Sequence, residues 1–187
     1  MEHPAEDISR TRSLIERMIG AAKLDVSVYE EVEHDRGATG QAAIVVAIVA
    51  ICSAIGQYNL GPEMAVLGIV AAFISWLIWG VLTYLIGTKA FGGTADVGEM
   101  LRTLGFAQAP GVLLILSFIP LLGWLITFVV WIWTTIAAVI GIRQALDFDT
   151  SKAVLTALIT IAVVIAVTFV LALMFGGMKP IGGAGAH

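Results

Sequence analysis

Glu30, Glu31, His34 and Asp35 are the one stretch of this chain where metal-ligating residue types crowd together, and Glu30 or Glu31 shares a helix face with His34. A zinc site asks for three or four such ligands in fixed geometry, so a single histidine among acidic neighbours falls short and no metal is expected. Ser53, Ser75 and Ser117 would need an adjacent base to become nucleophiles. The three histidines, His3, His34 and His187, all lie outside the apolar runs that hold those serines. The serines are therefore read as hydrogen-bonded within a helix bundle. Gly92-Gly93-Thr94 lacks the lysine and the preceding strand of a phosphate cradle. No catalytic, cofactor-binding or metal residues are expected, and the chain is not read as an enzyme.

The remaining candidates are charges. Glu99, Arg102, Arg143, Asp147 and Asp149 fall in gaps between apolar runs. A topology that brings them to one side makes them a candidate interaction surface, in which Arg102 or Arg143 pairs with Asp147, Asp149 or Glu99. Separate solvation of all five is the open alternative, since an exposed pair contributes only about 0–1 kcal/mol.

The elements that position these residues follow from the solvent. Of the 187 residues, 59% are hydrophobic and only 13% charged, and mean hydropathy is +0.96, which suits lipid rather than water. A bilayer core of about 30 Å needs about 20 apolar helical residues. Residues 41–58, 64–86, 124–142 and 153–175 meet that length. The stretch 106–119 is too short alone, and Pro110 within it calls for a kink or a new helix start. An amphipathic lead-in over 94–105 extends it, with Val97, Met100, Leu101 and Leu104 on one side and Glu99 and Arg102 on the other. The expected fold is thus all-α: a polytopic membrane bundle of five transmembrane helices, preceded by an N-terminal cytoplasmic amphipathic helix.

Three regions result: an arm over 1–38, the five-span domain over 39–175 and a flexible tail over 176–187. The arm carries an apolar stripe of Ile8, Leu14, Ile15, Met18, Ile19 and Ala22, flanked by Arg10, Arg12, Arg17 and Lys23. It suits a helix on anionic lipid or one packed on the spans. The acidic run Glu30, Glu31, Glu33 and Asp35 reads as a solvated linker. With the N-terminus in the cytoplasm, Arg10, Arg12, Arg17, Lys23, Arg36, Lys89, Arg102, Arg143 and Lys152 lie inside and only Lys179 outside. That split orients the chain in the cell membrane, with the C-terminus outside.

Function classes narrow accordingly. A net charge of -4 offers no basic surface, so nucleic acid is not expected as a partner. The spans hold no ionisable group at membrane depth, which argues against a proton relay, a voltage sensor or an intramembrane aspartyl protease. A transporter or channel for a neutral or lipidic solute stays open, lined by Gln57, Ser75, Thr83, Gln108, Thr134 and Thr135. Small residues four apart, Ala43 and Ala47, Ala50 and Ala54, Gly68 and Ala72, Ala137 and Gly141, and Ala162 and Ala166, permit close helix approach within one chain or in a homo-oligomer. Trp76, Trp79, Trp131 and Trp133 read as packing groups and Trp124 as interfacial. Cys52 has no mate for a disulfide.

Gly92-Gly93-Thr94 leading to Leu101-Arg102-Thr103-Leu104-Gly105-Phe106, followed by Pro110 within five spans, resembles the Yip-domain family of Rab/Ypt-interacting membrane proteins. Leu24-Asp25-Val26-Ser27-Val28-Tyr29-Glu30-Glu31-Val32, Ala38-Thr39-Gly40-Gln41-Ala42 and Arg143-Gln144-Ala145-Leu146-Asp147 look like its prokaryotic branch. Of two motifs in the eukaryotic branch, a Gly-Tyr pair is matched by Gly105 and Phe106, and an Asp-Leu-Tyr-Gly-Pro element has no counterpart. The resemblance implies the five-span architecture and a non-enzymatic, partner-binding or membrane-organising role. The expected partners are membrane lipids and a membrane or cytoplasmic protein not identified by the sequence.

Overall fold

The computed structural model describes residues 12–175, and within them the chain is helical. Ile8, Arg10 and the 176–187 tail lie outside the described residues. Helix α1 (Leu14–Ala22) starts at a capping box in which Ser13 and Glu16 exchange side-chain and backbone hydrogen bonds. It turns through Leu24, at φ 62°, into α2 (Val26–His34), which Asp25 caps by accepting from the Ser27 N–H. A Cβ on Gly20 would lie 2.5 Å from a Val28 methyl carbon, so the two helices meet where glycine leaves room.

The acidic run is therefore not a linker. Val28, Tyr29 and Val32 recur at helical spacing within it and are buried. Their burial winds the segment into a helix whose charges sort to the other faces.

Five candidate spans follow. They are α3 (Ala38–Gly56), α4 (Pro62–Phe91), a composite third span, α6 (Gly123–Ala145) and α7 (Thr150–Phe175). Pro62 opens α4, where its missing N–H is not needed, and Gly92 at φ 73° closes it. Asp149 caps α7 by accepting from the Lys152 N–H at 3.0 Å.

The third span joins α5 (Val97–Ala107), begun by an Asp96–Glu99 capping box, to a 3-10 segment (Ala109–Phe118). The helix begins before Gly105 and restarts beside Pro110, as the short apolar stretch requires. Ten residues wound at about 2.0 Å each reach about 20 Å, against about 15 Å as α-helix. Tight winding thus offsets the short run. The segment lies against α3 at close range, since a Cβ on Gly56 would sit 2.1 Å from the Leu114 carbonyl oxygen.

Of the resemblance positions, Gly105 is the point where α5 meets α3, with Ala42 2.8 Å from the Cβ that a larger residue would bring. Phe106 is fully buried and Pro110 is buried at the start of the 3-10 winding. Gly141 faces Thr103 across the α5–α6 contact, whereas Gly68 faces open space. The outward surfaces of α4, α6 and α7 are large and apolar, among them Leu67, Val70, Ile74, Phe128, Ile165 and Phe169. Such faces suit lipid as solvent.

Candidate functional site

Arg17 has no solvent exposure, although it stands among the residues expected to flank a lipid-bound stripe. Its Nε and Nη2 donate to one oxygen of Glu31 at 3.0 and 2.8 Å, Nη2 also donates to Asp35 at 2.7 Å, and Nη1 donates to the Gln41 side chain at 2.8 Å. One guanidinium thus ties α1 to α2 and to the start of α3. Burial pulls its pKa down, and the Asp35 and Glu31 hydrogen bonds outweigh that effect and raise it. Arg12 adds a second, more exposed bond to Glu31 at 2.9 Å.

The stripe itself divides. Leu14, Met18 and Ala22 pack on the core, while Ile15 and Ile19 stay exposed. The Trp133 indole donates to the Ala22 carbonyl at 2.7 Å, and the Tyr29 hydroxyl donates to Ala21 at 3.0 Å. Trp133 is the eleventh of the 23 residues of α6, so the tip of the α1–α2 hairpin reaches mid-helix rather than resting on the ends of the spans.

The layer expected from Glu99, Arg102, Arg143, Asp147 and Asp149 takes another form. Arg102 is buried and has no carboxylate partner among the described ion pairs. Its Nε donates to the Val32 and Glu33 carbonyls at 2.9 and 3.1 Å, Nη2 also donates to Glu33, and Nη1 reaches the Thr39 hydroxyl at 3.4 Å. These are the free carbonyls at the end of α2, which a cation satisfies through both hydrogen bonding and the helix dipole. Arg143 bonds its neighbour Gln144 at 3.1 Å, and Asp147 accepts from the Thr94 hydroxyl at 2.7 Å. Glu99 and Asp149 serve as helix caps. For Arg102 neither the ion pair nor separate solvation applies: carbonyls lie within 3.1 Å, and no carboxylate among the described residues forms an ion pair with it.

Sequence reasoning missed Arg17, Glu31, Asp35 and Gln41 as a group. The signal was present: Arg17 falls between Leu14 and Ala21 on the inward face of α1, and Asp35, at the C-cap of α2, follows Glu31 by one turn.

Glu33 is buried on the same layer. Burial raises its carboxyl to about 7, helped by the charges of Asp147, Glu99 and Glu30 and opposed by His34. His34 places Nδ1 2.9 Å from the Glu30 carbonyl. Among the described residues no group of three or more His, Cys, Asp or Glu is arranged to hold a metal.

A second region lies among the spans. Ser75, Gln108, Thr134 and Thr135 converge on one cavity of about 420 Å³. Gln57 lies in an adjoining cavity, and Thr83 lines neither. The Thr134 and Thr135 hydroxyls bond back to their own helix, at Val130 and Trp131. Trp76 is buried and donates to the Leu101 carbonyl at 3.0 Å, whereas Trp131 is 62% exposed and so is not the core packing group expected. Trp124, the second residue of α6, is 70% exposed.

A family model described as the Yip1 domain matches residues 26–172, from the first residue of α2 almost to the end of α7. The match speaks to the domain as a whole and assigns no branch of it. No curated protein and no solved structure matches the chain.

Proposed function

Because the chain belongs to the Yip1 domain family, we infer that this multi-pass membrane protein is non-enzymatic and organises membranes by binding a protein partner on the face that carries the hairpin. The observation that carries this reading is the fixed placement of that face. Buried Arg17 and Arg102 lock α2 onto the spans, so the exposed residues around it are held as a preorganised surface. Asp147 and Asp149 are exposed there, Glu99 and Arg143 half-buried, and Lys89 and Lys152 stand beside them at the ends of α4 and α7. The excess of Lys and Arg on this face supports a cytoplasmic orientation in the cell membrane, with the end of α7 outside.

Partners are first identified in native membranes by crosslinking, then recaptured with Asp147→Asn/Asp149→Asn. Asn keeps the left-handed turn at 147 and the cap at 149, so two charges are removed without disturbing the fold. Reduced capture supports the surface; unchanged capture moves it to the exposed side of the hairpin. The transporter reading is favoured by the convergence of Ser75, Gln108, Thr134 and Thr135, but two of those hydroxyls are turned into their own helix, leaving few free groups for a water-filled path.

A further inference from the structure

Three cavities lie along the bundle, each sharing lining residues with the next. The first, of about 730 Å³, opens between the end of α3, the Tyr58–Leu60 turn and Pro120, on the face opposite the hairpin. The second, of about 460 Å³, continues along α3 and α4 and shares Ser53, Gln57, Leu60 and Leu114 with the first. The third, of about 420 Å³, lies among α4, α5, α6 and α7 and shares Ala72 and Gln108 with the second. Each falls in the size range of small-ligand sites, about 300–1,000 Å³.

The lining changes in character along this groove. Gln57, Asn59, Ser117 and Thr127 make the mouth polar, small residues such as Ala54 and Gly68 line the middle, and Trp76, Trp79 and Trp131 close the inner end. Among the described residues no Asp, Glu, Lys or Arg lines any part of it. Gln108 lines both inner cavities, and its side-chain amide has no hydrogen-bond partner among the described residues. An amide at membrane depth costs free energy until a ligand or neighbour satisfies it.

We propose that this groove binds an uncharged lipid of the diacylglycerol type, whose hydroxyl and ester groups meet Gln57 and Gln108 and whose chain ends against the tryptophans. A polar mouth and a mostly apolar interior, where the Thr134 and Thr135 hydroxyls bond back to their own helix, match an amphiphile rather than a water-soluble solute. Among the described lining residues no cation is placed to meet an anionic headgroup, whose charge would be desolvated without a partner, so the lining favours an uncharged one. The site is independent of the hairpin face, and its test uses no protein partner.

The purified protein, in nanodiscs, is exposed to a diacylglycerol carrying a photoreactive diazirine at the chain end, and labelled peptides are mapped by mass spectrometry. An anionic phosphatidylglycerol with the same chain serves as comparator. The neutral probe should label the peptides of Trp76, Trp79 or Trp131 preferentially. Gly68→Phe narrows the groove, because Gly68 lines the second cavity and a Cβ there has nothing within 4 Å. It should cut labelling about tenfold, as should Gln108→Leu, while Val70→Phe on the exposed surface of the same helix should not. Labelling that is equal in wild type and Gly68→Phe, or equal for the two probes, means contact with bulk lipid only and overturns the proposal.

Discussion

Arg102 holds Glu33 by its backbone and not by its carboxylate: the guanidinium of α5 donates to the carbonyl oxygen that ends α2, 69 residues away in the chain. The bond clamps the hairpin to the third span at a point where helix geometry leaves carbonyls without partners. Lysine cannot reproduce it, because a single ammonium does not present the Arg fork to Val32, Glu33 and Thr39 together. Arg102→Lys is expected to lower stability by about 1–3 kcal/mol, and Arg102→Met by more, since it leaves buried carbonyls unpaired. Thermal unfolding in detergent would check this, and equal midpoints for the three proteins would contradict it.

Arg17→Met removes the only cation among the described residues that touches both Asp35 and Glu31. Breaking a buried pair costs about 3–5 kcal/mol, and the lower end applies because the Glu31 and Asp35 side chains are 27% and 35% exposed. Arg12→Met, on a bond that is itself exposed, should cost under about 1 kcal/mol. A larger loss from Arg12→Met than from Arg17→Met would show that the buried guanidinium is not the fastening.

Glu33 should make stability depend on pH. Its folded pKa is raised by burial from 4.5 to about 7, so the folded state binds the proton more tightly than the unfolded state does. Its stabilising contribution is full below the unfolded value and is lost as pH rises through about 7. His34, raised by its bond to the Glu30 carbonyl, acts in the same direction. Asp35 is lowered by the Arg17 hydrogen bond, so its contribution is lost only as pH falls below the usual carboxylate range. The unfolding midpoint should therefore decline between about pH 5 and about pH 8. Glu33→Gln should flatten much of that decline and leave the part due to His34. An unchanged slope in the variant would refute the assignment to Glu33.

The Thr83 hydroxyl is the buried side-chain group without a hydrogen-bond partner among the described residues. Thr83→Val keeps the shape and removes the polar atom, so it should raise stability by about 1 kcal/mol. A lower unfolding midpoint in the variant would mean that the hydroxyl is satisfied in the membrane.

Helices α3, α4, α6 and α7 were legible because an apolar run of membrane length has few alternatives to a span. The composite third span was legible because its run was short and Pro110 marked the break. Helix α2 was hidden by composition, since Glu30, Glu31, Glu33 and Asp35 masked the spacing of Val28, Tyr29 and Val32. The partners expected for Arg102 were residue types, whereas its true acceptors are carbonyls, which every residue carries and which leave no trace in a sequence. The cavity was foreseen only as a list of polar residues, because which helix faces converge depends on tilt and rotation set by packing.

Hydrogen–deuterium exchange over residues 14–34, measured in lipid nanodiscs, tests most directly whether the hairpin is a fixed part of the bundle. In the wild type, amides of α1 and α2 should be protected about as strongly as those at the start of α3, and Arg17→Met/Arg102→Met should release them while α4 and α6 stay protected. Fast exchange of α1 and α2 in the wild type would contradict the account.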